Sequence, residues 1–314
     1  MHNELNVRMF PYKFAENFSK NDMILMSSFG DAFKEFIIKK KRYKDEYIDF
    51  SFTADEKGFE KILAYLVSLE GKIGASLYFQ TEYDKEDFNN ASAYMLYFSD
   101  EYSGYSDDDD PYYPRGVLCE ECGMYTFYRE KVYAKPSKGI LKKFNGRTTG
   151  VTSKNFTNIS ILSEDMYEYL LSEGIDESCF RDVYAKNGDK WAKCLDNSKN
   201  MLRSGDVECS LYECEYTCKK CGSGHFILKE PDNSKNNWGN LRKVEFMLAY
   251  GRYPLTEKWE IKQEALNRLE YVNLTIDVFE SYSRPIINRE LFELIIAKEP
   301  NIIKRSVPIF LKTE

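Results

Sequence analysis

Histidine is nearly missing from this chain, with two in 314 residues, His2 and His225. That scarcity removes most metal-hydrolase chemistry and most catalysis by a histidine base. There is no phosphate-cradling glycine loop, dinucleotide fingerprint, nucleophile elbow or zinc-protease helix either. The opening residues Met1-His2-Asn3-Glu4 lack the apolar core of a signal peptide. The longest apolar stretches, such as Leu294-Ile295-Ile296-Ala297, are far too short to span a bilayer. Basic excess is also lacking. The formal net charge is −7, a poor match for nucleic-acid phosphate. These absences point to a cytoplasmic protein that is not an enzyme and has neither a membrane nor a nucleic acid as its favoured partner. The acidic balance either steers a basic protein partner or serves solubility.

What is present is a substantial apolar and aromatic complement. About 43% of residues are hydrophobic, with 24 Tyr and 21 Phe. That is enough for a real core in one large or two medium domains, and it leans toward strand-rich packing. Met23, Met26, Phe29, Phe33, Phe36 and Ile37 recur at helical spacing, which predicts a helix over about 22–40 capped by Asn21 or Asp22. Tyr47–Phe52, Gly74–Gln80 and Ala93–Phe98 read as strands, and Asp55–Leu69 as a second helix. Residues 1–102 thus form a mixed α/β N-terminal domain.

Four adjacent carboxylates, Asp107 to Asp110, are followed by Pro111 and Pro114. Repelling charges and the missing proline donors make 103–114 an acidic linker or loop. Residues 115–314 form a second domain, so the overall class is α+β. Within it, Ile159–Ser163 leads into an amphipathic helix and then Val183-Tyr184. Pro285–Asn288 leads likewise into a helix and then Val307–Ile309. Ser163 and Asn288 stand where an N-cap accepts from free amides. This is either an internal duplication or two uses of a common unit.

The chain has eight cysteines, four of them in two copies of one motif: Cys119-Glu120-Glu121-Cys122-Gly123 and Cys218-Lys219-Lys220-Cys221-Gly222. Two residues between cysteines let both thiolates turn toward one point, and the following glycine permits the tight turn. In a reducing compartment such pairs favour metal over disulfide. Cys119, Cys122, Cys218 and Cys221 are therefore expected to hold one structural Zn2+ per chain, in a zinc-ribbon-like arrangement with a large folded insertion between the knuckles. Separate metal sites, a redox pair or incidental thiols are the alternatives. Cys209, Cys214 and His225 lie near the second knuckle, where they either contribute to a site or pack as ordinary residues.

At these knuckles, and in the closing pattern Arg284-Pro285-Ile286-Ile287 with its helix and Val307-Pro308, the chain resembles the bacterial double-CxxCG motif family. The resemblance covers mainly residues 114–314. It implies a non-enzymatic, zinc-containing immunity protein that binds and neutralises a cognate bacterial toxin. The acidic loop with Tyr102, Tyr105, Tyr112 and Tyr113 is a candidate binding surface. Two other classes compete. One is a nucleic-acid-binding zinc-ribbon protein using the runs Lys39-Lys40-Lys41-Arg42 and Lys142-Lys143. The other is an enzyme of unrecognised type.

Overall fold

A computed structural model describes residues 1–10, 19–43, 47–53, 56–69, 73–96, 117–122, 125–126, 132–133, 148–152, 158–185, 187–195, 200–228, 258–275, 278–279 and 285–313. The expected acidic loop and its tyrosines lie outside these residues, as do Gly123, Lys142-Lys143 and Arg284. Helices combine with mixed sheets, which is an α+β architecture. The described chain divides into two compact units, the first ending at Asp84.

The first unit runs β1 (His2–Phe10), α1 (Lys20–Ala32), β2 (Ile37–Tyr43), β3 (Tyr47–Thr53), α2 (Glu56–Ser68) and β4 (Gly74–Glu82). Its four strands lie in the order β2-β3-β1-β4, every neighbouring pair antiparallel. This is the ferredoxin-like β-α-β-β-α-β arrangement. Period-two alternation buries Leu5, Val7 and Met9 of β1 and Ile48, Phe50 and Phe52 of β3 in one core. Met26 and Phe29 of α1, Phe33 after it, and Ile62 and Leu66 of α2 complete that core. Phe29 is its centre, with ring centroids 5.2 Å from both Phe33 and Phe50 and 5.7 Å from Phe52. The helix expected to reach residue 40 stops at Ala32. Phe36 and Ile37 still contribute to the core, but Ile37 does so from β2, so the basic run Lys39–Arg42 lies on a strand.

The second unit opens with α3 (Lys85–Asn90) and β5 (Ala93–Leu96). β6 (Val117–Leu118) and β7 (Tyr125–Thr126) form a small antiparallel pair around the first knuckle. A five-stranded sheet follows, made of β8 (Val132–Tyr133), β9 (Thr148–Thr152), β10 (Asn158–Leu162), β11 (Phe180–Tyr184) and β12 (Lys190–Leu195), with α4 (Glu164–Ser172) crossing between β10 and β11. Then come β13 (Met201–Leu202), β14 (Val207–Cys209), β15 (Tyr212–Thr217), β16 (Gly224–Leu228), β17 (Trp259–Ile261), β18 (Val272–Thr275), β19 (Val278–Phe279), β20 (Pro285–Asn288), α5 (Arg289–Lys298) and β21 (Ser306–Leu311). Residues 185–208, polar in sequence, carry β12, β13 and most of β14. Among the described residues, no helix is long and apolar enough to cross a membrane.

The two apolar strand-cap-helix-strand segments occupy matching places in two sheets of one topology. The first sheet has the order β8-β11-β12-β10-β9, and the second contains β17-β21-β5-β20-β18. In each, the outermost pair at one end is parallel and the other three pairs are antiparallel. The registers also agree. Ile161 faces Cys194 as Ile286 faces Met95, and Val183 faces Val132 as Ile309 faces Trp259. One difference matters. The central strand of the first sheet, β12, directly follows β11, whereas that of the second, β5, comes from the far N-terminal side. Ala93–Leu96, which the sequence reading assigned to the N-terminal domain, is therefore the middle of a C-terminal sheet.

Both helices begin as their caps dictate. Ser163 Oγ accepts from Met166 N at 3.1 Å and Asn288 Oδ1 from Leu291 N at 2.9 Å. Met166 and Leu170, and likewise Leu291 and Ile295, are buried beneath them. We expect Ser163→Ala and Asn288→Ala each to lower stability by about 1 kcal/mol in urea titrations, since each leaves an amide without its acceptor. Equal stability of either variant and the parent would mean the cap is dispensable.

On the first sheet Asp182 accepts from Lys190 at 2.6 Å and pairs with Lys193 at 3.0 Å. The Lys190 bond holds its carboxyl below the usual range, against a smaller opposing effect of burial. A depressed carboxyl stabilises the fold above its unfolded pKa of about 4, and that contribution is lost as pH falls through the folded value. Asp182→Asn should therefore cost up to about 1 kcal/mol at pH 7, because the pairs are partly exposed. The gap from the parent should close in strongly acidic buffer, as read by denaturation at each pH.

Candidate metal centre

Each knuckle is built by a hairpin. β6 and β7 carry Cys119 and Cys122 in their turn; β15 and β16 carry Cys218 and Cys221. In the second turn Cys218 N donates to Ser223 O at 2.9 Å and Gly222 N donates to Cys218 O at 2.9 Å. Gly222 has φ +74°, a backbone state that side-chain-bearing residues rarely adopt, which accounts for glycine after the second cysteine.

The two turns meet. Cys119 Sγ lies 3.8 Å from Cys218 Sγ and Cys122 Sγ lies 3.7 Å from Cys221 Sγ, and all four sulfurs fall within 4.8 Å of one another. A zinc ion bound tetrahedrally at about 2.3 Å to each sulfur separates its ligands by about 3.8 Å. The four thiols are thus already near the spacing a metal requires. None of the eight cysteines is in a disulfide. Cys119 and Cys218 are buried, while Cys122 and Cys221 are half-buried.

The surroundings of Cys221 favour thiolate. Burial works to raise the Cys221 thiol, but the Ser223 hydroxyl and amide, with Cys218 and Cys122, bring it down to about 7. The hydroxyl stands 3.3 Å from the sulfur. Tyr216 is raised, first by desolvation and then by negative charge on Cys122 and Cys218, so its phenol stays neutral beside the cluster. Lys220 bonds Glu120 across the two knuckles at 2.6 Å, a link between exposed side chains that contributes little energy.

The remaining candidates stand apart from the four sulfurs. His225 stacks on Tyr216 with ring centroids 4.2 Å apart and belongs to no ligand cluster among the described residues. Cys209 is buried on β14, and Cys214 is exposed on β15 beside Thr217. The stretch between the knuckles, read as an insertion, contains the complete five-stranded sheet.

The distance between knuckles has a structural origin. The two are 99 residues apart, and so are Met95 and Cys194 of the two central strands. Each copy of the arrangement therefore starts with a central strand, continues through its knuckle, and ends in the strands around its helix. The central strand of each copy sits in the sheet of the other. Equivalent cysteines face one another because the copies meet there. No protein family, curated protein or solved structure matches this chain.

Proposed function

We propose that the chain is a non-enzymatic, zinc-stabilised protein-binding factor, acting in the cytoplasm as an immunity protein against a cognate bacterial toxin. The observation that carries the metal is the convergence of Cys119, Cys122, Cys218 and Cys221 at thiolate–zinc spacing. Four protein ligands close the coordination shell, so such an ion crosslinks the chain and leaves no position for a substrate. Cysteines favour zinc over harder cations, which prefer oxygen. The toxin-binding role rests on the resemblance of the two knuckles to the double-CxxCG family, the net charge of −7, and the shortage of catalytic residues.

The experiment is co-purification of the tagged, metal-loaded chain from its native cell, with neighbouring genes tested for toxicity in its presence and absence. A neighbour that kills only when this chain is missing, and that binds it directly, supports the reading. A chain that binds none of its neighbours and protects against none overturns it.

A further inference from the structure

The two sheets provide an internal comparison, because among the described residues what one covers the other leaves open. In the second sheet the N-terminal end of α5 is occupied by α3. The Phe88 ring lies parallel to Phe292 at 6.1 Å and to Tyr94 at 6.3 Å. Arg289, the first residue of α5, donates to the carbonyls of Asn89 and Ala91 at 2.8 and 3.2 Å. Tyr94 OH donates to Phe88 O at 2.8 Å. A short helix bearing one aromatic side chain is thus clamped beside the cap.

By register, Tyr167 stands for Phe292 in the first sheet, Lys193 for Tyr94, and Glu164 for Arg289. Among the described residues no helix stands for α3, since β12 is entered from a turn at Asn187-Gly188-Asp189. The equivalent place is a cleft of about 580 Å³ lined by Ser163, Glu164, Tyr167, Asp182, Trp191 and Lys193. That volume is in the range of small-ligand and anchor-residue pockets. Its aromatic surfaces are Tyr167, with Lys193 Nζ 5.1 Å over the ring, and half-buried Trp191. Lys190 and Lys193 are both engaged by Asp182, so the acids at the rim, Glu164 and Asp165, set the sign met by an arriving group.

We propose that this cleft is a docking site for a partner protein segment that presents an aromatic side chain on a short helical turn, with a basic residue beside it. The aromatic ring takes the place that Phe88 holds in the other sheet. The basic residue answers Glu164, where the intramolecular helix instead offers carbonyls to Arg289. The inference rests on the protein-binding reading and names the chemistry of the partner's contact. It also uses a surface distinct from the metal cluster.

The test uses the full-length, zinc-loaded chain and two capped peptides of residues 84–92. One has the natural sequence and the other has lysine in place of Asn89 and Asn90. Binding is followed by tryptophan fluorescence, with Trp191→Phe identifying the reporter. The lysine peptide is expected to bind about fivefold tighter than the natural one, the size of one exposed ion pair. Replacing its Phe88 with alanine should weaken it about tenfold or more. Glu164→Arg, an exposed change, should reverse the preference toward the natural peptide while zinc content and circular dichroism stay unchanged. Absence of saturable binding up to roughly 5 mM, or a preference that Glu164→Arg leaves intact, overturns the proposal. A native partner that binds but is not displaced by the lysine peptide also overturns it, while leaving the protein-binding reading standing. Peptide binding with the charge switch supports the cleft even where no toxin is recovered.

Discussion

Cys218→Ser will leave the purified chain with less than about a tenth of the zinc carried by the parent, which should hold one ion per chain by native mass spectrometry. Stability should fall by on the order of 5 kcal/mol, a large part of what a chain this size has. The reason is geometric. Cys218 is buried and lies 3.8 Å from Cys119, so its loss removes a ligand from a closed set and leaves three thiols crowded without an ion to neutralise them. Cys119→Ser should do the same to a similar degree, because the two cysteines hold equivalent positions in the two knuckles. Cys214→Ser is the control. That thiol is exposed and outside the cluster, so zinc should be retained and stability should change by less than about 0.5 kcal/mol. Full metal retention in Cys218→Ser, or equal loss in Cys214→Ser, would remove the basis for a four-sulfur site.

The second large effect concerns β5. Met95→Pro should destabilise the chain by roughly 5 kcal/mol, as read by denaturation. Met95 is fully buried and faces Ile286 on one side and Val307 on the other, so β5 is bonded along both edges. Proline removes a ladder donor in the middle of a sheet and empties the space of the methionine side chain. Its neighbour Tyr94 stacks on Phe292 at 3.6 Å, which ties the same strand to α5. Met95→Leu keeps the volume and should cost less than about 1.5 kcal/mol. If proline were no worse than leucine, β5 would not be an interior strand.

The knuckles were legible because their information is local. Cys-x-x-Cys-Gly describes a turn, and a turn needs only its own residues. The caps at Ser163 and Asn288 were legible for the same reason. The end of α1 was not, since Phe33, Phe36 and Ile37 continue a helical apolar rhythm that also suits a turn leading into a strand. β1 was missed because its alternation, Leu5, Val7 and Met9 with Asn6 and Arg8 between them, offers only three apolar positions. Arg8 is accommodated by two bonds to Asp49 at 2.8 and 3.0 Å, a pairing decided by tertiary structure. β5 was read as a strand but given to the wrong unit. Its partners are about 200 residues downstream, as is the helix whose Arg289 binds the carbonyl of Asn89. No local pattern records which strand another will pair with. The 99-residue gap between knuckles likewise reads as an insertion until the two sheets are laid over one another.

The reciprocal exchange of central strands has a consequence for biosynthesis. β12 is made just after the strands it joins, so the first sheet closes as soon as it leaves the ribosome. β5 is made early, but β20 and β21 arrive only about 200 residues later. At about 5–20 residues per second, Ala93-Tyr94-Met95-Leu96 waits some 10–40 s with both edges unpaired. During that interval a nascent chain offers a sticky apolar ribbon to its neighbours on the polysome, and holdase chaperones would be expected to find it there.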